Sequence, residues 1–378
     1  MKPRERVVAA LNHEQPDRVP LDFGGGTSSI HVGVYTNLLA ELGRHEDVLS
    51  MDSGVACPSE ALLEKFHIDT RQVYPEIAKL DTNPPLEKTD AWGVRMRLMG
   101  NLYEDLPDAH PLAGIQTVDE LREYPWPKSE DLISQATSER MAGTAEKLAG
   151  GDYAVVLPFG PLSGPFALSM RLRGYQKFLA DLRLRPKIAE AIMDRMASVV
   201  VDIVKKYVKP IGEYLDVVNI ADDLGTQQGP MISPQTYKTR VKPKHQRIVE
   251  ALRNSTRASV ILHTDGSIAP FIDDFAEVGI TGINPVQVSA RGMDSRELKE
   301  KFGSKMAFWG GIDGQQVLPF GTVEDVKLEV RRRIDDLADG GGYVLASVHH
   351  VQPPTPPRNV ITMFNEALTY GSSSKDAR

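Results

Sequence analysis

The stretch Val217-Val-Asn-Ile-Ala-Asp-Asp-Leu-Gly-Thr-Gln227 decides the fold class, together with its echo Ser259-Val-Ile-Leu-His-Thr-Asp-Gly-Ser267. Each half opens with a short apolar, largely β-branched run, which predicts a strand covered on both faces, and each breaks into Asp, Gly and a hydroxyl residue where the strand ends. Between them, Ser233-Pro234 is a cap followed by Pro at the first helical position, so a helix links the two strands. Strand, helix, strand in that order points to a parallel sheet.

Further runs extend the rhythm: Val19 to Phe23, Gln72 to Tyr74, Ala154 to Pro158, Thr281 to Asn284, Met306 to Trp309 and Tyr343 to Ser347. The clearest helix is Pro186 to Val208, where Ile188, Ile192, Met196, Val199 and Ile203 recur at three- and four-residue spacing. Asp294 with Glu297 and Thr322 with Asp325 have capping-box spacing, and Gly279 and Gly303 close helical stretches. Eight such strands predict an α/β fold of the closed (β/α)₈ TIM-barrel type. An open doubly wound sheet is the alternative, but Gly24-Gly-Gly-Thr27 lacks the spacing of a dinucleotide fingerprint. Asp90 to Asp105 alternates apolar residues with Arg around Gly and predicts a small inserted β-ribbon. Pro107 to Ser129, rich in Pro and aromatics, predicts an excursion over the barrel mouth. The expected organisation is one barrel domain over 1–370 with an insertion at about 85–130, and a flexible tail over 371–378.

The 378 residues are 25 % charged and 41 % hydrophobic, with 44 Lys plus Arg against 51 Asp plus Glu. The resulting net charge of −7 implies no basic surface for nucleic acid or an anionic membrane. No window approaches a membrane span, and the opening residues do not read as a secretory signal. A single cysteine, Cys57, cannot form an internal disulfide or a Cys-rich metal site, and it reads as a small buried apolar residue. A reducing, cytoplasmic setting and a small-molecule substrate are expected.

In a barrel, chemistry sits at the carboxyl ends of the strands. Those ends carry Asp22 with Gly24 to Gly26, the Gly160-Pro-Leu-Ser163-Gly164-Pro165 loop, Asp222 and Asp223 with Gln227, His263 and Asp265, Asn284 and Gln287, Asp313, and His349 with His350. His263 and Asp265, two apart at a strand end, share a face. With a His from the last strand they offer three N and O ligands to a divalent ion with one position open; otherwise they form a hydrogen-bonded pair without metal. Asp222 and Asp223 cannot both face the axis, so one is a candidate proton carrier and the other caps the loop. By the same alternation, at most one of His349 and His350 faces inward. Arg95 and Arg97 share a face of the ribbon, either toward an anion or toward solvent.

Arg4-Glu-Arg-Val-Val-Ala-Ala-Leu-Asn-His-Glu-Gln-Pro-Asp-Arg-Val-Pro20, the Gly160 to Phe166 loop, Trp309-Gly-Gly-Ile-Asp313 and the closing Gly341 to Val360 segment resemble the uroporphyrinogen decarboxylase superfamily. The resemblance implies a (β/α)₈ barrel and an enzyme of one of two branches. The cobalamin-dependent methyltransferase branch has His-x-Cys then Gly where this chain has His263-Thr-Asp265-Gly, and a second Cys at His349, all three binding zinc. It therefore implies a divalent metal, zinc by analogy, on His263, Asp265 and His349. It also implies a corrinoid, carried by a partner protein or free as cobalamin. With both thiolates replaced by harder donors, demethylation of a small methoxylated or methylated substrate fits better than thiol methylation. The decarboxylase branch matches at His349 and at Tyr74-Pro-Glu76-Ile77, where it has a pyrrole-binding aspartate, and implies a metal-free lyase using Glu76 and His349. That branch's arginine-rich loop is replaced by Phe23-Gly-Gly-Gly-Thr-Ser-Ser29. A homodimer is compatible with either branch.

Overall fold

The computed structural model describes residues 1–378 except 53, 76, 80–83, 100–101, 161 and 374–378. Its central sheet has seven hydrogen-bonded parallel strands: β1 Thr70–Gln72, β2 Ala154–Leu157, β3 Val217–Ala221, β4 Ser259–His263, β5 Gly282–Asn284, β6 Ala307–Ile312 and β7 Tyr343–Ser347. Each pairs with its sequence neighbour, for example Val217 with Ser259 and Ala221 with His263.

The eighth expected strand, Val19 to Phe23, reduces to a single parallel bridge between Leu21 and Leu345. Pro20 has no N–H to give and Gly24 turns the chain at φ +95°, so the ladder has no room to lengthen. The segment still closes the ring. Asp22 N–H donates to the Leu345 carbonyl at 3.0 Å on one side, and Asp69 N–H donates to the Leu21 carbonyl at 2.9 Å on the other.

The barrel interior is filled from below. Pro3–Leu11 forms a helix whose Val7 and Leu11 join Ala154, Val156, Val217, Ile261, Ala307, Trp309, Val344 and Ala346 in one buried apolar cluster. These strand residues alternate along β2, β3, β4, β6 and β7, as inward-facing positions must. The larger cluster between sheet and helices holds the alternate set, such as Val218, Ile220, Leu262 and Ile283. Pro186–Ile203 packs there through Met193 and Val200 and turns Ile192 and Met196 to a separate cluster with Val94, Leu112 and Leu121, and its last expected turn, Val204–Val208, is a π-helix. Ser233, Asp294 and Thr322 accept backbone N–H bonds as N-caps, and Gly279 ends its helix at φ +99°.

The inserted ribbon is a three-stranded antiparallel sheet of Glu87–Thr89, Arg95–Met99 and Leu102–Asp105. Arg97 pairs with Glu87 at 2.5 Å and Arg95 with Asp108 at 3.2 Å, all of them exposed, so these arginines line a solvated face. A second antiparallel sheet of Ile30–His31, Val55–Cys57, Leu49–Asp52 and Ala78–Lys79 was not foreseen. The final helix, Pro357–Ser373, continues into the segment expected to be a flexible tail.

Asp69, fully buried, ties the chain's beginning to the barrel. It accepts from Arg6 Nη1 at 2.6 Å, Arg18 Nη1 at 2.7 Å and the Leu21 N–H at 2.8 Å. Asp69→Ala leaves two guanidinium groups short of their counter-charge and is expected to cost about 3–5 kcal/mol in urea denaturation. Asp108→Ala, on the exposed ribbon pair, is expected to leave the midpoint unchanged.

Candidate functional site

With the lower end plugged, the open end of the barrel holds the polar residues. His263 ends β4, and its Nδ1 lies 2.8 Å from the Asn284 side-chain oxygen at the end of β5. That oxygen only accepts, so Nδ1 carries the hydrogen, and in the neutral ring Nε2 keeps its lone pair. Nε2 faces Asp265 Oδ2 at 3.9 Å. Thr27 Oγ1 donates to the same Asn284 oxygen at 2.7 Å, which fixes the carboxamide that orients His263. Phe159 stacks on the His263 ring with centroids 5.7 Å apart and planes 11° apart.

His349 follows β7 at φ +60°, a left-handed conformation rare outside glycine. It brings its ring within 5.7 Å of His263 and 4.6 Å of His350. One donor atom each from His263, Asp265 and His349 lies within 4.8 Å of the others. Burial pushes the His349 imidazole below its usual range, and neighbouring His263 adds to the effect, against the pull of Asp265 and Asp223. His350 is pushed lower still, by burial and its two histidine neighbours. The turn at His349 breaks strand alternation, and both His349 and His350 line one cavity.

That cavity, about 400 Å³, is also lined by Gln227, Asp265, Gln287 and Gln352. No Lys or Arg lies among its described lining residues. Asp265 N–H donates to Asp223 Oδ1 at 3.0 Å, and Gly266 N–H donates to Gln287 Oε1 at 2.7 Å. Gln287 Nε2 donates to Gln227 Oε1 at 2.8 Å, so the two glutamines brace the loop behind Asp265.

The two aspartates part as alternation demands. Asp222 is buried and faces outward, accepting from the N–H groups of Phe166 and Ala167 at 3.1 and 2.6 Å and lying 2.8 Å from His245 Nε2. It thus caps Pro165–Arg173 from a neighbouring strand and does not reach the cavity. Gly164, before that helix, has no room for a Cβ, which would fall 2.2 Å from Asp222. Ser163 Oγ donates to the Gly160 carbonyl at 3.1 Å, folding the loop on itself. Asp313 accepts from Gln315 and Gln316 N–H groups and shapes its own loop. Asp22 lies deeper, accepting from Ser28, Thr70, Gln72 and Trp309; burial pushes its carboxyl above the usual carboxylate range against those bonds. Glu76 is outside the described residues. Cys57 is buried away from the three-residue cluster, and burial pushes its thiol up to about 12, against a Tyr74 hydrogen bond.

Phe159 and Thr27 escaped the sequence reading, because each acts through a contact, ring on ring or hydroxyl on carboxamide, that no local pattern encodes.

The family model described as Uroporphyrinogen decarboxylase (URO-D) matches residues 114–370, more than half of the chain. The chain belongs to the uroporphyrinogen decarboxylase family. A curated uroporphyrinogen decarboxylase of Alkalilimnicola ehrlichii is 20 % identical over 96 % of this chain and 92 % of its own. One of Pseudoalteromonas translucida is 24 % identical over 48 % of each chain, so this alignment spans about half of that relative. Among solved structures, a methyltransferase from Methanosarcina mazei superposes with a TM-score of 0.68 at 18 % identity, over 98 % of this chain and 99 % of that one. Both comparisons agree with a TIM-barrel enzyme family.

Asp222→Asn is expected to destabilise the fold by about 1–3 kcal/mol, because a charged acceptor shared by two amides and a histidine is lost. Asp223→Asn is expected to leave stability close to wild type. Guanidinium denaturation followed by circular dichroism separates the two.

Proposed function

We propose that this family member transfers a methyl group from a small methoxylated or methylated compound to a corrinoid, supplied by a partner protein or as free cobalamin. The observation that carries the reading is the convergence of His263, Asp265 and His349 at the open end of the barrel, beside a small cavity with no cationic lining among its described residues. Two nitrogens and a carboxylate, one imidazole held by a hydrogen bond to its far nitrogen, form a donor set suited to a divalent ion such as zinc. Bound there, the ion supplies Lewis acidity to the atom that loses its methyl group.

The chain's own residues do the rest. Asn284 and Thr27 hold the His263 ring so that its lone pair faces Asp265. Phe159 covers one face of that ring and keeps water from it. When the carbon–oxygen bond breaks, its electron pair stays on oxygen, which takes up one proton. Asp223, half-buried and bonded to the Asp265 N–H, is the carboxyl placed to relay that proton from solvent. Gln227 and Gln287 border the cavity and brace the loop that carries Asp265, and the Gly160 to Gly164 loop is the surface offered to the planar corrinoid.

Uroporphyrinogen decarboxylation is the second reading, favoured by the alignment with the Alkalilimnicola ehrlichii relative along almost the whole chain. A substrate with several carboxylates calls for cations, and the described lining of this cavity has none. A cavity of about 400 Å³ also sits at the small end of ligand sites.

Purified protein is expected to carry one zinc or similar ion per chain by elemental analysis, and His263→Ala and His349→Ala to lose it. Methyl transfer from methoxylated compounds to cob(I)alamin, read by absorbance, is expected to fall at least ~100-fold in both variants. No stoichiometric ion, with carbon dioxide released from uroporphyrinogen, would replace this reading with the second.

A further inference from the structure

His349 and His350 leave β7 together, but the structure holds the two rings differently. After the left-handed turn at His349 the chain runs beside Ser29 and Ile30: Val351 N–H donates to the Ser29 carbonyl and His31 N–H to the Val351 carbonyl, both at 2.9 Å. Val351 is buried in this exchange, so His350 and Gln352 on either side of it stand on the opposite face, and both border the cavity. Ser29 N–H donates to His350 Nδ1 at 3.3 Å. An accepting Nδ1 carries no hydrogen, so the neutral ring holds its hydrogen on Nε2. That nitrogen has no partner among the described residues and is not enclosed, so it is open to the cavity that the ring borders. The His349 ring meets it edge-on, with centroids 4.6 Å apart and planes at 75°, and sets the tilt of the ring.

His263 is the reverse case: its Nδ1 gives a hydrogen to Asn284 and its Nε2 keeps a lone pair. The site thus pairs one imidazole that accepts with one that donates. Other side-chain donors of the lining are engaged or loosely held. Thr226 Oγ1 donates to the Gly229 carbonyl, Gln227 Nε2 to the Ser289 carbonyl and Gln287 Nε2 to Gln227 Oε1. Gln315 stands exposed to water, and the Gln352 carboxamide has no bond among the described residues to fix it. Asp265 is the charged group of the described lining, which holds no Lys or Arg. An oxygen gaining negative charge there finds its fixed donor in His350 Nε2–H.

We infer that His350 is a further catalytic residue, whose Nε2–H donates a hydrogen bond to the substrate oxygen that loses the methyl group and stabilises the charge left on it. The carbon–oxygen electron pair stays on oxygen, the methyl group passes to the corrinoid, and the proton reaches oxygen from solvent by way of Asp223. The imidazole gives a hydrogen bond and keeps its hydrogen. This deepens the methyl-transfer reading and rests on it for the identity of the reaction.

The test uses 4-nitrophenol, which carries the oxygen but no methyl group, with the purified full chain and no corrinoid. Its phenolate absorbs at longer wavelength than the phenol, so absorbance at neutral pH gives the phenolate-to-phenol ratio of the bound probe. A donor aimed at the oxygen favours the charged form, because hydrogen bonds to charged groups are the stronger ones. His350→Phe keeps a ring against His349 and removes the donor, and its ratio is expected to fall ~10-fold or more below wild type. His350→Gln puts an amide N–H near the place of Nε2, and its ratio is expected to stay within ~3-fold of wild type. Both variants are expected to keep the wild-type metal content by elemental analysis, which separates a donor from a ligand. No saturable binding, an unchanged ratio in His350→Phe, the same loss in both variants, or a changed metal content would overturn the inference. If His350→Phe does not fold, nitrogen-15 NMR of the histidine-labelled wild type decides, with His350 assigned by the signal missing from His350→Gln. Hydrogen on Nε2 supports the inference and hydrogen on Nδ1 overturns it. Since the probe has no methyl group to lose, failure of the transfer reaction leaves this result standing, and an unchanged ratio leaves the transfer reading standing.

Discussion

A closed eight-stave barrel has no hollow centre, and in this chain the lower half is filled by Val7 and Leu11 meeting an inward-facing apolar layer from five strands. Everything polar inside the barrel is therefore pressed toward one end. The plug depends on the amino-terminal segment staying docked, and Asp69 holds it by pairing with Arg6 and Arg18 while accepting the Leu21 N–H. One buried carboxylate thus serves both the helix that fills the barrel and the stave that closes it.

Above the plug, polarity rises in steps. Asp22 is enclosed by Ser28, Thr70, Gln72 and Trp309, so its carboxylate serves to order the layer that contains it. The carboxamide of Asn284 comes next, and the imidazoles and Asp265 above it. Each layer orients the one above: Asn284 sets which nitrogen His263 presents. Such support is what separates a cluster of polar residues from a centre with a defined geometry.

Much of this was legible in the residues. The β-branched runs located seven strands, because a parallel strand buried on both faces has no other composition available to it. The spacing of His263 and Asp265 followed from strand periodicity, and the separation of Asp222 from Asp223 from the same rule. Other features were not legible, the second antiparallel sheet among them. Val19 to Phe23 looked like a full strand, but Pro20 and the turn at Gly24 limit it to one bridge. The His349 turn lies in a backbone conformation that side-chain type does not announce. The contact of Thr27 with Asn284 depends on closure between segments far apart in the chain, and no local pattern encodes shear.

The identity of the three converging side chains has one more consequence. None contains sulfur, and the sole thiol of the chain is buried and held up to about 12. A centre built on thiolates is exposed to dioxygen, peroxide and alkylating agents, which convert its ligands into species that no longer bind. Imidazole and carboxylate do not climb that oxidation ladder. A metal held by His263, Asp265 and His349, as proposed above, would therefore keep its ligands in air.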